Sequence, residues 1–519
     1  RICKNSTSEQ LLVLNYYIGI DLGTSAMKGV LTDARGTIVR QATATYDVIY
    51  PQNGWTEQNP SDWIVALNNV IAELLCVGKN CNKCDINDCL SAKSDTLSIA
   101  KCVKGISFGG QMHGLVALDK YGEVIRPCML WNDGRTEKQT AYLNEVVGKQ
   151  TLSELTGNIA FAGFTAPKLL WLKENEPDNF ARIDKIMLPK DYLAYYLSGV
   201  VTTDYSDASG TLLLDVKNKC WSQKMANVCG ISLQNLPELH ESYDVIGTIK
   251  HDIAARFGMS YVKVVIGAGD NAAAAIGTGT VNDGDCNVSL GTSGTIFVCQ
   301  NKFSVDRNNA LHSFAHANGK WHLMGCILSA ASCRKWWLED ILETCDYATD
   351  EQQISNVDSG NVIFLPYLSG ERSPHNDVNA KGAFVGLTAT TTRAQISRAV
   401  LEGVAFAIRD CYEVAKANGL QITRTNLCGG GARSATWQQI FADVLGIPVH
   451  ILATEQGPSY GAAILAMVGC SVYRDVAEAT EQMVSVKQTI LPDPQNVAKY
   501  QKKYETFTKL YPLLKTLSI

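Results

Sequence analysis

Nowhere in the 519 residues is there a run approaching the ~18 consecutive apolar residues that a membrane-spanning helix needs. A large excess of charge is missing too. The formal net charge is -5, which gives no global electrostatic reason to seek nucleic acid or an anionic membrane surface. Charged residues make up 19% and hydrophobic residues 46%, a balance that excludes extensive disorder and fits ordinary globular packing. Residues 1–15 carry only the apolar patch 11–14, shorter than the ~7–15-residue core of a secretory signal. They read as an N-terminal tail, and the cytoplasm is the expected compartment. There the 17 cysteines are expected to be mostly free thiols rather than a disulfide framework. The common nucleotide loops are also absent. No Gly-x-x-x-x-Gly-Lys-Ser/Thr occurs, which excludes a Walker-type NTPase, and no protein-kinase signature set is present. Gly-Ala-Gly-Asp-Asn-Ala at 267–272 resembles a dinucleotide fingerprint only superficially, because Asp270 would face a pyrophosphate with like charge.

What is present points to more than one core. A chain of 519 residues is too long for a single hydrophobic core, so at least two domains are expected. The apolar run 16–20, the polar turn Asp21-Leu22-Gly23-Thr24-Ser25 and the run 27–32 read as strand, tight turn and strand. A second such unit covers 287–290, Gly291-Thr292-Ser293-Gly294 and 295–298. Leu-Gly-Thr-Ser occurs in both, at 22–25 and 290–293, which suggests two related halves. Asn59-Pro60 suits a helix start, and Trp63, Leu67, Ile71 and Leu74 mark one helical face. Thr392-Arg393-Ala394-Gln395 is a capping box, followed by the stripe Ile396, Val400, Val404, Ile408 and Cys411, with Gly419 as its end. Strands mixed with helices throughout indicate an α/β chain. The boundary is placed near residue 260, giving domains 16–259 and 260–519.

Two carboxylates stand at strand ends. Asp270 sits at the lip of a glycine-rich helix start, where it can take a proton from an attacking hydroxyl or can simply cap the helix. Asp21 precedes the Gly-Thr-Ser turn, where it can hold Mg²⁺ beside a phosphate cradle or can cap its own turn. Phosphoryl transfer needs a metal, a backbone cradle and a base, and Asp21, the two Gly-Thr-Ser loops and Asp270 would supply all three. Gly429-Gly430-Gly431 follows an apolar strand and permits close approach to a planar ligand or forms a structural turn. His113, after two glycines, can reach sugar hydroxyls, although a lone His is more often structural.

Together these residues resemble the FGGY carbohydrate kinases, within the actin, hexokinase and chaperone ATPase superfamily. Ile-Gly-Ile-Asp-Leu-Gly-Thr-Ser at 18–25 is similar to the first phosphate loop, Gly-Thr-Ser-Gly at 291–294 to the second, and Gly429 to Ser434 to the adenosine loop. Residues 163–175, with Lys168 and Trp171, resemble one family signature; Gly-Ala-Phe-Val-Gly-Leu at 382–387 through Gln395 to Leu401-Glu402-Gly403 resembles the other. The runs at 110–114, 130–135, 188–193, 206–210 and 269–273 are most similar to bacterial xylulokinases. The resemblance spans residue 16 to the C-terminal end. It implies two ribonuclease-H-like domains flanking a central cleft and ATP-dependent phosphorylation of D-xylulose. In that scheme Asp270 is the general base and Asp21 positions Mg²⁺ and the triphosphate. Gln111, Met112, His113, Trp131, Asn132, Asp133 and Asn271 would line the sugar site. Thr24, Ser25, Gly291, Thr292, Gly430, Gly431 and Ala432 would hold the nucleotide. The implied cofactors are ATP and Mg²⁺. The implied partners are a small sugar and ATP, with no nucleic acid or membrane, and a homodimer is common in the family. Alternatives are a family kinase for another ketose or polyol, a non-catalytic sugar-binding regulator, or an actin-like or chaperone ATPase, against which Gln111-Met112-His113 speaks.

Two further features invite a metal reading. His312 and His316 are four apart, but Asn318-Gly319 suits a hairpin turn. On a strand they would stand ~13 Å apart, too far for one metal, so they read as structural. Cys76, Cys81, Cys84, Cys89 and Cys102 resemble the start of an iron–sulfur or zinc spacing. The favoured reading is an unliganded cysteine-rich surface insertion.

Overall fold

The computed structural model describes residues 15–75, 96–454 and 457–517. Cys76, Cys81, Cys84 and Cys89 lie outside the described residues, while Cys102 is a free, half-buried thiol. Two compact units emerge. One comprises the described residues of Arg1–Val281, Phe314–Trp321 and Gln456–Val484; the other, those of Asn282–Ser313, His322–Glu455 and Ser485–Ile519. The packing therefore does not divide at residue 260. Lys263–Val265 and Ala268–Gly269 hydrogen-bond into the first sheet and bring Asp270 with them.

In the first unit Tyr16–Leu22 (β1) turns into Ala26–Asp33 (β2), its antiparallel partner, and Ile38–Thr45 (β3) follows on β2. Val103–Gly110 (β4) lies parallel to β1. With Val245–Thr248 (β5), Lys263–Val265 (β6) and Ala268–Gly269 (β7), the order is β5-β6-β4-β1-β2-β3, and β7 also pairs with β4. Both faces of β1 are covered, which is why it reads as a nearly unbroken apolar run. Ile18, Ile20 and Leu22 pack in one cluster with Trp63, Leu67, Ile71 and Leu74 of the helix Pro60–Leu75 (α1). Tyr17 joins a second cluster with Tyr460, Ile464 and Leu465 of the helix Gly457–Gly469. The helical face expected from sequence is thus the buried one, and the helix starts at Pro60. Two more helices of this unit matter below, Thr165–Asn175 (α2) and Asp270–Gly277 (α3).

The second unit repeats the opening. Cys286–Leu290 (β8) pairs antiparallel with Gly294–Gln300 (β9) across the second Leu-Gly-Thr-Ser, and Thr425–Cys428 (β12) lies parallel to β8 as β4 lies to β1. His312–Ala315 (β10), Trp321–Ile327 (β11), Val449–Leu452 (β13) and Val486–Ile490 (β14) complete the order β10-β11-β9-β8-β12-β13-β14. The helices Tyr347–Ile354 (α4) and Arg393–Ala417 (α5) pack in this unit. The capping box at the start of α5 is formed: Thr392 N–H donates to Gln395 Oε1 at 2.9 Å, and Gln395 N–H to Thr392 Oγ1 at 3.3 Å. Val400, Val404, Ile408 and Cys411 are each fully buried in the second core.

His316 belongs to neither site. Its Nε2 faces Thr280 O at 2.8 Å, and its Nδ1 accepts from Ala317 N–H at 2.8 Å. Burial lowers its pKa to about 4, so it is a neutral, structural side chain. Among the described residues no group of three or more His, Cys, Asp or Glu is placed to hold a metal ion, and no helix is long and apolar enough to cross a membrane.

Candidate active site

The β1–β2 turn is braced from several sides. Gln58 Nε2 donates to Thr24 O at 2.6 Å, Trp131 Nε1 donates to Thr24 Oγ1 at 2.9 Å, and Gly23 N–H bonds Ala26 O at 3.1 Å. Ser25 is exposed beside them. Gln111 supports this turn rather than lining a surface: it is buried, and its Nε2 donates to Gln58 Oε1 at 3.0 Å.

Strand register brings the two carboxylates together. Asp21 on β1 is level with Gly109 on β4, and Gly109 is level with Ala268 on β7. Asp270 follows Gly269, two residues beyond that row and at the start of α3. The two strands flank β4, so their backbones stand two sheet spacings apart, roughly 10 Å. Helix α3 takes Gly269 as its cap, so Asp270 is not spent on capping. Asn271 orients it instead, with its backbone N–H at 2.7 Å and Nδ2 at 2.9 Å from Asp270 Oδ1. Burial raises the Asp270 carboxyl to about 6, against the pull of those Asn271 hydrogen bonds. Burial and then the charge of Asp270 raise Asp21 to about 7, with Lys28 pulling the other way. Asp21 is a hard oxygen donor of the kind a divalent cation such as Mg²⁺ takes, and a cation there would favour its ionised form.

Met112 lies beside the start of α3, and His113 follows it in the chain. A Cβ built on Gly269 would stand 3.0 Å from Met112 Cγ, so Met112 packs against the residue preceding the carboxylate. The His113 ring is 2.7 Å from Gly210 O through Nδ1; a carbonyl only accepts, so Nδ1 carries the hydrogen. The same ring stacks on Phe164 at 4.6 Å and 20°.

Asp133 is placed elsewhere. Its carboxylate is buried and fully engaged, accepting from Thr56 N–H at 2.7 Å and from Arg135 Nε and NH2 at 2.8 and 2.7 Å. Arg135 in turn lies 3.9 Å over the Trp55 ring. The Asp133–Arg135 pair is scaffold, and sugar contact by Asp133 is not what the geometry offers. Neighbouring Asn132 accepts from Thr56 Oγ1 at 2.8 Å.

Sequence reasoning assigned no role to a charged cluster beneath Asp270. Lys190, with no exposed side-chain surface, lies 2.6 Å from Asp191, 2.9 Å from Asp204 and 3.8 Å from Asp207. Burial alone would lower its pKa, but the three carboxylates outweigh that and keep the ammonium charged. Burial pushes Asp207 well above the usual carboxylate range, Lys190 opposes this, and Asp191, Asp204 and Asp270 add to it. The cluster reaches the site through Ser206, whose hydroxyl donates to Asp204 and accepts from Gly269 N–H at 3.1 Å. Lys190, Asp191 and Asp207 stand in the runs at 188–193 and 206–210 and Asp204 just before the second, so the sequence displays the charges without showing which of them meet.

In the second unit Thr292, Gly430 and Gly431 line a cavity of about 660 Å³ with Arg334, Lys335, Tyr347, Glu351, Arg433 and Trp437. The glycine turn is obligatory at Gly429, where φ is +85° and a Cβ would fall 2.7 Å from Leu290 O. Ala432 is buried under the turn, and Gly291 O accepts from Ala331 N–H at 2.9 Å. Glu351, also unassigned from sequence, anchors the turn: it accepts from Ser434 Oγ at 2.8 Å, Thr436 N–H at 2.9 Å and Arg334 NH2 at 2.8 Å.

A half-buried pair of carboxylates at the ends of parallel strands in one unit and a glycine-walled cavity in the other fit the comparisons with known proteins. Residues 16–277 match the N-terminal domain, and residues 286–470 the C-terminal domain, of the FGGY family of carbohydrate kinases. The chain belongs to that family. A xylulose kinase of Escherichia coli is 40% identical over 501 residues, 96% of this chain and 99% of the relative. One of Lactococcus lactis is 38% identical over 504 residues, covering 96% and 97%. Among solved structures, a kinase from Brucella ovis described as a xyloylose kinase superposes with TM-score 0.89 at 38% identity, covering 97% of this chain and 100% of that one. A gluconate kinase from Lactobacillus acidophilus reaches the same TM-score of 0.89 at 27% identity, covering 96% and 98%. The fold is thus shared by kinases named for different sugars.

Proposed function

We propose that this carbohydrate kinase transfers the γ-phosphoryl group of ATP to the terminal hydroxyl of D-xylulose, giving D-xylulose 5-phosphate and ADP. The observation that supports it most is the register that sets Asp21 on β1 and Asp270 just beyond β7, two strands that flank β4, with Met112 packed against Gly269. Near-full-length relatives named as xylulose kinases favour this acceptor over other sugars. Asp270 accepts the hydroxyl proton as that oxygen bonds to the γ-phosphorus and the bond from phosphorus to the β-γ bridging oxygen breaks. Asn271 holds the accepting carboxylate in place. His113 and Met112 bind and orient the sugar. Thr24 and Ser25 cradle phosphate from the β1–β2 turn, and the cavity walled by Thr292, Gly430 and Gly431 holds the nucleoside. Asp21, with the phosphates, would hold Mg²⁺. When bound, the ion neutralises charge on the phosphate oxygens.

An assay of ADP release over a panel of pentuloses and polyols, with and without added Mg²⁺, tests the proposal. D-xylulose should give the highest kcat/KM, and chelation should abolish turnover. Equal turnover of other sugars would remove the acceptor but leave the reaction class. Sugar binding without turnover on any acceptor would favour a non-catalytic regulator.

A further inference from the structure

Lys168 and Thr165, in the first turn of α2, have no part in that scheme. Lys168 is nevertheless an expensive residue to keep. It is fully buried, and the start of a helix disfavours a cation. An ammonium out of water persists only when paired or hydrogen-bonded. Burial brings its pKa down to about 7, with the Asp133 carboxylate pulling the other way.

Its hydrogen bonds run to two carbonyl oxygens, those of Gly163 and His113, the latter at 3.1 Å. Thr165 Oγ1 donates to the same His113 oxygen at 3.0 Å. His113 is a non-glycine residue at φ +70°, a conformation that persists only when its surroundings over-determine it. Its ring is held from the other end by Gly210 O and Phe164. Gly210 leaves the room: a Cβ there would sit 2.5 Å from His113 Nδ1.

We propose that Lys168, with Thr165, is a positioning residue for the sugar site: its bridge between the Gly163 and His113 carbonyls holds His113 in the left-handed conformation that presents its imidazole to the acceptor. The inference rests on the reading of His113 as a sugar contact. It makes Lys168 a determinant of sugar affinity without contact to sugar or nucleotide.

The test compares Lys168→Met, Thr165→Val, Thr165→Ser, His113→Ala and the double variant Lys168→Met/His113→Ala in the full chain. KM for D-xylulose, KM for ATP and kcat are measured for each. Lys168→Met should raise the sugar KM about 10-fold and leave the ATP KM within about 2-fold. In the His113→Ala background the same change should add less than about 2-fold, because the residue it acts through is gone. Thr165→Val should raise the sugar KM, and Thr165→Ser, which keeps the hydroxyl, should restore it; this pair carries the test if Lys168→Met does not fold. Equal effects on both KM values, a full additive effect on His113→Ala, or no difference between Thr165→Val and Thr165→Ser would overturn the inference while leaving His113 a sugar contact. An unchanged sugar KM in His113→Ala would remove that contact, and the inference with it.

Discussion

A carboxylate that takes a proton during catalysis works best with a pKa near the working pH, and Asp270 is raised to about 6 by burial. As a base it must be ionised, so kcat should fall as pH drops through about 6 rather than near the ordinary Asp value. Asp270→Asn should lose about 10²–10⁴-fold in kcat, with an unchanged circular dichroism spectrum. Retained turnover in a folded Asp270→Asn variant would remove Asp270 as the base. Beneath it, Lys190 balances three buried carboxylates. Breaking such a cluster by Lys190→Met should cost about 3–5 kcal/mol, read by denaturant unfolding. Asp21 stood out in the sequence because it comes near a strand end before a glycine turn, and Asp270 because it follows one at a helix start. Asp133 is taken up by Arg135, two residues on, and by Thr56, remote in sequence; a pair two apart does not by itself show that the two side chains meet.

At the scale of elements, local chemistry was readable and long-range pairing was not. The repeated Leu-Gly-Thr-Ser hairpins, the α1 stripe and the α5 capping box all follow from adjacent residues, and all are present. The boundary at 260 failed because β6 and β7 pair with β4, a strand far back in the chain. The glycine turn after β12 was legible as a turn, but which glycine is obligatory depends on β8 beside it. Gly429 has φ +85°, and a methyl carbon added there would meet Leu290 O at 2.7 Å, whereas one added at Gly430 would meet nothing within 4 Å. Gly429→Ala should therefore cost upwards of about 1 kcal/mol in stability and Gly430→Ala within about 0.5 kcal/mol. Thermal melts of the two variants compare them directly, and equal melting temperatures would contradict the assignment.

For the whole molecule, the residues assigned to the sugar and to the nucleoside fall in different units, while the phosphate turn at Thr24 and Ser25 belongs to the first. Met112, His113 and Asp270 belong to the first, and the glycine-walled cavity with Glu351 to the second. Glu351 is held below the usual carboxylate range: burial pulls it up, but hydrogen bonds from Thr436 and Ser434 and the charge of Arg334 outweigh that. It stays ionised and fixes the turn at Ser434 from the outside. A substitution in either set should consequently move one Michaelis constant and spare the other. Glu351→Ala should raise KM for ATP about 10-fold, equivalent to ~1.4 kcal/mol, with KM for sugar unchanged. His113→Ala should do the reverse. Matched steady-state titrations of both substrates on both variants check this, and a Glu351→Ala enzyme whose sugar KM rises as much as its ATP KM would show that Glu351 supports the second unit as a whole rather than its nucleoside cavity.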